Sequence, residues 1–133
     1  RITVMLQGVN TSGSSNLQIQ LGTGATPTYT ISGYLGAGFY DLGGSATIVA
    51  NNNTGLLLEG AGIGTAVRHG LYTISNLTGN NWVLSGMMGR SDNTSIQMGS
   101  GSISLAAALT AVRVIAVNGT DTFVAGTINI MYE

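Results

Sequence analysis

Polar and apolar residues alternate with a period of two along much of this chain. In "ITVMLQG", Ile2, Val4 and Leu6 share one face, and Thr3, Met5 and Gln7 share the other. In "NLQIQLG", Leu17, Ile19 and Leu21 point one way, and Gln18 and Gln20 are expected to face water. That period marks strands with one buried face. The "VNTSGSSN" between them has the composition of a hairpin connection. Pro27, the only proline, lies in a loop before a strand expected over 29–34. "SATIVA", "TGLLLEG", "HGLYTISNL" and "NWVLSGMMG" continue the series, each bounded by Gly, Asn or Ser.

"ISLAAALTAVRVIAV" is ambiguous at first, because Ala and Leu favour helix. Thr110, Val112, Val114, Ile115 and Val117 are β-branched, however, so the stretch reads as a bend at 106–109, or one helical turn, and then a strand from about Ala111. "TINIMYE" closes the chain, with Ile128, Ile130 and Tyr132 on one face and Asn129 and Met131 on the other, and is expected to be central to the fold. About nine short strands at this spacing predict an antiparallel sandwich or barrel in one domain, residues 1–133. The 21 glycines suit the turns and bulges of such a fold. "GYLGAGFYDLGG" carries too many large apolar groups to stay solvated, and reads as an ordered connection across an open end of the sandwich.

Charge changes the picture. Only 7% of the residues are charged and the net charge is −1, against about 25% charged in ordinary soluble domains. Arg1, Arg68, Arg90 and Arg113 are scattered and form no basic patch for nucleic acid. No run of residues is apolar enough for a membrane span. With 44% hydrophobic residues and a mean hydropathy of +0.33, an isolated copy is poorly protected against association. The chain therefore reads as a homo-oligomer with an uncharged interface. The alternative is a compact monomer with a neutral, hydroxyl-rich skin. Met5, Met87, Met88 and Met131 are the interface candidates, Met being adaptable and interfaces being depleted of charge.

Candidate chemistry is sparse. The acids are Asp41, Glu59, Asp92, Asp121 and Glu133, and nothing in their spacing pairs two of them on one bond. His69 is the only histidine and there are no cysteines, so multi-histidine and thiolate metal sites are excluded and no cofactor is implied. Ser91, in "GRSDN", lacks a nucleophile elbow. "GAGIG" at 60–64 resembles a phosphate-cradling loop without the helix such a loop opens, and reads as a turn. An enzyme is not expected. For binding, aromatic faces can stack on sugar rings. Tyr34, Phe39 and Tyr40 are candidates because they fall in the glycine-rich connection. Asp121 in "NGTD" is read as a cap on the amides that follow a tight Asn-Gly hairpin, with a ligand contact at the sandwich tip as its functional alternative.

"RITVMLQGVNTSGSSNLQIQLG", "GYLG", "TGLLL", "VRHGLYTISNLTGNNWVLSG" and "LTAVRVIAVNGTDTFVAGTINIMYE" together resemble a recurrent domain of tailed-bacteriophage virion proteins, of tail-fibre or head-fibre type. The resemblance spans the whole chain, and its closing "NGTD-F-AG-INI-YE" is the most specific part. Val124 stands where the family commonly carries an acid, so any ligand role of that acid is lost here. The resemblance implies a jelly-roll β-sandwich at the C-terminal end of a longer virion protein. It also implies a trimer, no enzymatic chemistry, and virion localisation. It leaves two roles: a fibre domain attaching to a host-surface glycan, or a purely structural capsid-decoration or trimerisation domain contacting other virion proteins.

Overall fold

The computed structural model describes residues 1–44 and 47–133. It is an all-β, antiparallel sandwich of eleven strands with no helix among those residues. They are β1 (Ile2–Thr11), β2 (Leu17–Thr23), β3 (Thr28–Tyr29), β4 (Leu35–Asp41), β5 (Ile48–Asn52), β6 (Leu56–Leu57), β7 (Arg68–Thr78), β8 (Asn81–Arg90), β9 (Ile96–Ser104), β10 (Leu109–Ala116) and β11 (Phe123–Tyr132). Seven form one sheet in the order β11-β1-β7-β8-β9-β4-β5. The small sheet runs β10-β2-β3, with β6 also paired to β2. First and last strands pair in the large sheet, second and penultimate in the small one, and β7-β8-β9 is a simple meander.

The alternation read from sequence places the core. Val4, Tyr72, Ile74 and Leu84 of the large sheet meet Leu17, Ile19 and Leu21 of the small sheet in one apolar cluster. Trp82, Leu109, Val112, Val114, Ile128 and Ile130 close its flank half-buried. The bend before β10 falls at 105–108, close to where the β-branched run predicts it.

Other expectations are corrected. The "VNTSGSSN" and "NGTD" loops are not hairpins, because each carries the chain from one sheet to the other. The strand expected over 29–34 is only the two-residue β3, and "TGLLLEG" yields only β6. The "SATIVA" strand begins at Ile48, and its Ser45 and Ala46 lie outside the described residues. Gln18 and Gln20 are buried, because the 52–55 turn and Arg113 cover the outer side of β2. The closing strand is an edge of the large sheet, with Ile128 and Ile130 half-buried and Tyr132 exposed.

The largest correction concerns "GYLGAGFYDLGG", which is no end connection. It supplies β4, inside the large sheet and flanked by β9 and β5. The inner face of β4 and β9 carries Gly36, Gly38, Gly99 and Gly101 in register. Segment 55–60 lies directly on that glycine floor. A Cβ on Gly38 would sit 2.0 Å from the Glu59 carbonyl oxygen, and one on Gly99 2.0 Å from that of Leu57. These glycines are required for close backbone approach, not for a turn.

Glu59, carried on that segment, forms a fully buried ion pair with Arg68. Its Oε2 accepts from Arg68 Nε at 2.8 Å, and its Oε1 from Arg68 Nη2 at 3.2 Å and the Leu17 amide at 2.9 Å. Gln97, oriented with its amide nitrogen toward the pair, donates to Oε2 at 3.3 Å and to the Ala61 carbonyl at 3.2 Å. Arg68 Nη2 also donates to the Ile63 carbonyl at 3.0 Å, and the Tyr72 hydroxyl donates to that of Leu58. Burial pushes the Glu59 carboxyl up, and the Arg68 guanidinium and the Leu17 amide pull it back. Arg68→Met strands the carboxylate and is expected to cost about 3–5 kcal/mol. The double variant Glu59→Gln/Arg68→Met should recover part of that loss. Chemical denaturation of Arg68→Met, Glu59→Gln and the double variant checks both points, and full additivity would deny the coupling.

Candidate interaction surface

All nine fixed charges of this chain are engaged by its own scaffold. Arg1 pairs with Glu133 at 2.5 Å, Arg68 with Glu59 at 2.8 Å, and Arg90 with Asp92. Arg113 donates to Gln20 Oε1 from Nε at 2.9 Å and Nη2 at 2.6 Å, and lies 4.2 Å over the Tyr29 ring. Asp41 accepts from Thr47 Oγ1 at 3.5 Å. Asp92 also accepts the Val67 amide at 2.8 Å, and its carboxyl is held well below the usual carboxylate range, chiefly by Arg90.

The structure brings His69 and Ser91 together, with Nε2 3.1 Å from Oγ. The arrangement is the reverse of a nucleophile-base pair. Nδ1 accepts the Gly8 amide of neighbouring β1 at 3.2 Å, so in the neutral ring the proton sits on Nε2 and points at Ser91. A base would need its lone pair there and an acceptor at Nδ1. His69 thus bonds across to the next strand, as its place at the start of β7 suggests. Segment 60–64 is a loop packed on the β1–β2 connection and β4, leaving no open cradle. Among the described residues, no three His, Asp or Glu side chains are grouped to hold a metal ion.

Of the sugar-stacking candidates, Tyr34 and Tyr40 are only 1% and 5% exposed and have no free ring face. Both point inward from the β4 region, and the Tyr34 hydroxyl accepts the Leu21 amide at 2.8 Å. Phe39 points to the outer face and is half-exposed.

Asp121 has a different task from the one expected. The amides that follow the turn, those of Thr120 and Asp121, are capped at 3.0 Å by Asn118 Oδ1. Asn118 itself does not adopt a positive φ; Gly119 does, at +70°. Asp121 reaches back to the β1–β2 connection, accepting the Ser15 amide at 2.9 Å, while its other oxygen accepts from Asn118 Nδ2 at 2.9 Å. It therefore clips the two sheet-crossing loops together. Val124, nearby in sequence, is exposed.

The interface candidates divide sharply. Met88 is 3% exposed and belongs to the core, because even positions of β8 face inward. Met87 is 62% exposed, and Met5 and Met131 share its outer face. Register adds what sequence spacing does not show. Met5 pairs with Leu71, Leu71 with Met87, Met87 with Met98, Met98 with Phe39, and Phe39 with Val49. These six residues form one apolar row, at right angles to the strands, across the large sheet from β1 to β5. One neighbouring row is mainly polar, with Thr3, Thr73, Ser85, Ser100 and Asn51 interrupted only by Ala37. Two shallow depressions of about 750 and 500 Å³ lie along the apolar row.

Compared with known protein families, curated proteins and solved structures, the chain finds no match.

The Asp121 clip is testable through pH. Its carboxyl is held below the ordinary value by hydrogen bonds from Asn118 and Ser15. A depressed folded value means that the contribution is present above the unfolded value, about 4, and is lost as pH falls through the folded value. Asp121→Asn should melt below the unmodified chain at pH 7, with the gap closing below about pH 4. Thermal melts from pH 7 to 3 decide this, and a constant gap would deny the carboxylate its role.

Proposed function

We propose that this chain is a non-enzymatic structural module of a tailed-bacteriophage virion, working through the outer face of its large sheet. The observation that carries the reading is the row from Met5 to Val49, a continuous apolar line on a face where, among the described residues and apart from the chain ends, Asp41 at the rim is the one fixed charge. Exposed apolar surface of this extent marks an interaction site. The internal pairing of every charged side chain supports the same reading, since little is left over for catalysis. The closing "NGTDTFVAGTINIMYE" motif supports the virion assignment, and the scaffold gives its Asn118 and Asp121 architectural work. Mass spectrometry of purified particles of the encoding phage should find the chain at a fixed copy number, whereas particles lacking it would overturn the assignment.

Attachment to a host-surface glycan is a second reading with one observation in its favour. A cleft of about 550 Å³ beside β4 and β5 is lined by Leu35, Ala37, Asn51, Asn52 and Asn53. Exposed carboxamides at Asn51 and Asn53 match the donor and acceptor pattern of sugar hydroxyls. On this reading a glycan array gives a signal that Asn51→Ala/Asn53→Ala removes, and a blank array rejects it.

A further inference from the structure

The geometry points to a second copy of this chain as the occupant of the apolar row: two copies packed face to face through the outer surfaces of their large sheets, about a two-fold axis. The inference rests on reading this face as an assembly surface, and it names the partner.

The face offers Asp41 at one rim and His69 as its only ionisable groups apart from the chain ends, with no Lys or Arg among its outward positions from β1 to β9. A charged partner would lose hydration here and gain no counter-charge. A second copy brings the same neutral face. Its apolar row meets an apolar row, and its Ser and Thr hydroxyls, each both donor and acceptor, meet their like. A net charge of −1 per copy opposes the pairing weakly.

Seven strands about 4.8 Å apart span about 29 Å, and four outward rows about 6.7 Å apart span about 20–27 Å, so the face covers roughly 600–800 Å². A stable interface takes about 800 Å² from each partner. The face is thus of the size for one partner, with no large remainder.

A patch that complements itself closes by a two-fold axis, whereas a ring of three needs two different patches on each subunit. An axis along the strands between Met87 and Met98 sets the two methionines of one copy against the same pair of the other. Their unbranched, polarisable side chains adjust to the angle of about 30° at which aligned sheets pack. This differs from the threefold assembly that the virion resemblance implies.

Sedimentation of the 133-residue chain across micromolar concentrations tests the pair. The expected result is a species of twice 13.5 kDa. Met87→Lys and Leu71→Lys, both at exposed positions, should each weaken pairing at least tenfold while keeping the unmodified circular dichroism spectrum. Ile31→Lys, equally exposed but off this face, should pair normally. A monomer across that range overturns the inference. So does a trimer, or a dimer indifferent to both face variants. Should one variant fail to fold, the other and the unmodified chain still decide. A monomer that is nonetheless found in particles sinks the pair alone, and a dimer absent from particles sinks the virion assignment alone.

Discussion

A buried carboxylate fixes the inside of this sandwich. Glu59 and Arg68 are both without solvent exposure, and two ions removed from water are tolerated only when every lone pair and proton is met. The partners come from everywhere: the Leu17 amide in the small sheet, Arg68 and Gln97 in two separated strands of the large one, and Ile63 in the intervening loop. An apolar side chain at 59 would tolerate many positions between the sheets. A carboxylate tolerates one. It holds segment 55–60 in place, and the rest of that half of the molecule conforms. With a backbone segment filling the space between the sheets, β4 and β9 have no room for side chains beneath it, at positions 36, 38, 99 and 101.

This is why half of the fold was legible in the sequence and half was not. Where side chains fill the core, as on β1, β7 and β8, alternation reports the buried face directly. Where backbone fills it, the inward positions must be glycine and the alternation disappears. The sequence "IQMGSGSIS" of β9 shows no hydrophobic period, and β4 reads as a loop for the same reason. Gln18 and Gln20 mislead in the opposite sense. They mark the outer face of β2 correctly, but that face is covered by the turn at 52–55, whose Thr54 hydroxyl and carbonyl bind them. Polarity alone cannot separate a side chain bonded to water from one bonded to a neighbouring loop.

The candidate surface was legible in the same partial way. Low charge raises the expectation of a covered surface, and the outward parity of Met5 and Met131 follows from period two. Leu71, Met98, Phe39 and Val49 were out of reach, because the row joins residues from six strands and exists only through their register. Tyr34 and Tyr40 look accessible in the sequence for the same reason, because the glycines of β4 give it the composition of a loop. Met88 fails by a single residue of parity, which is the whole difference between two faces of a sheet.

The two halves of the molecule are linked by how few charges the chain carries. Six of the nine charged residues form ion pairs, Arg113 binds Gln20, Asp121 clips two loops and Asp41 binds Thr47. Surface charge is the usual defence of a β-protein against unwanted association, and this chain has kept almost none for that purpose on its broadest face. Serine and threonine keep the flanking row hydrated, and hydroxyls are surrendered to a neutral partner at little cost compared with ammonium or carboxylate groups. On the pairing proposed above, a face built this way would leave charged strangers unsolvated and would accept a surface of its own kind. Neutrality, which reads in the composition as a lack of protection, would then act as the means of discrimination.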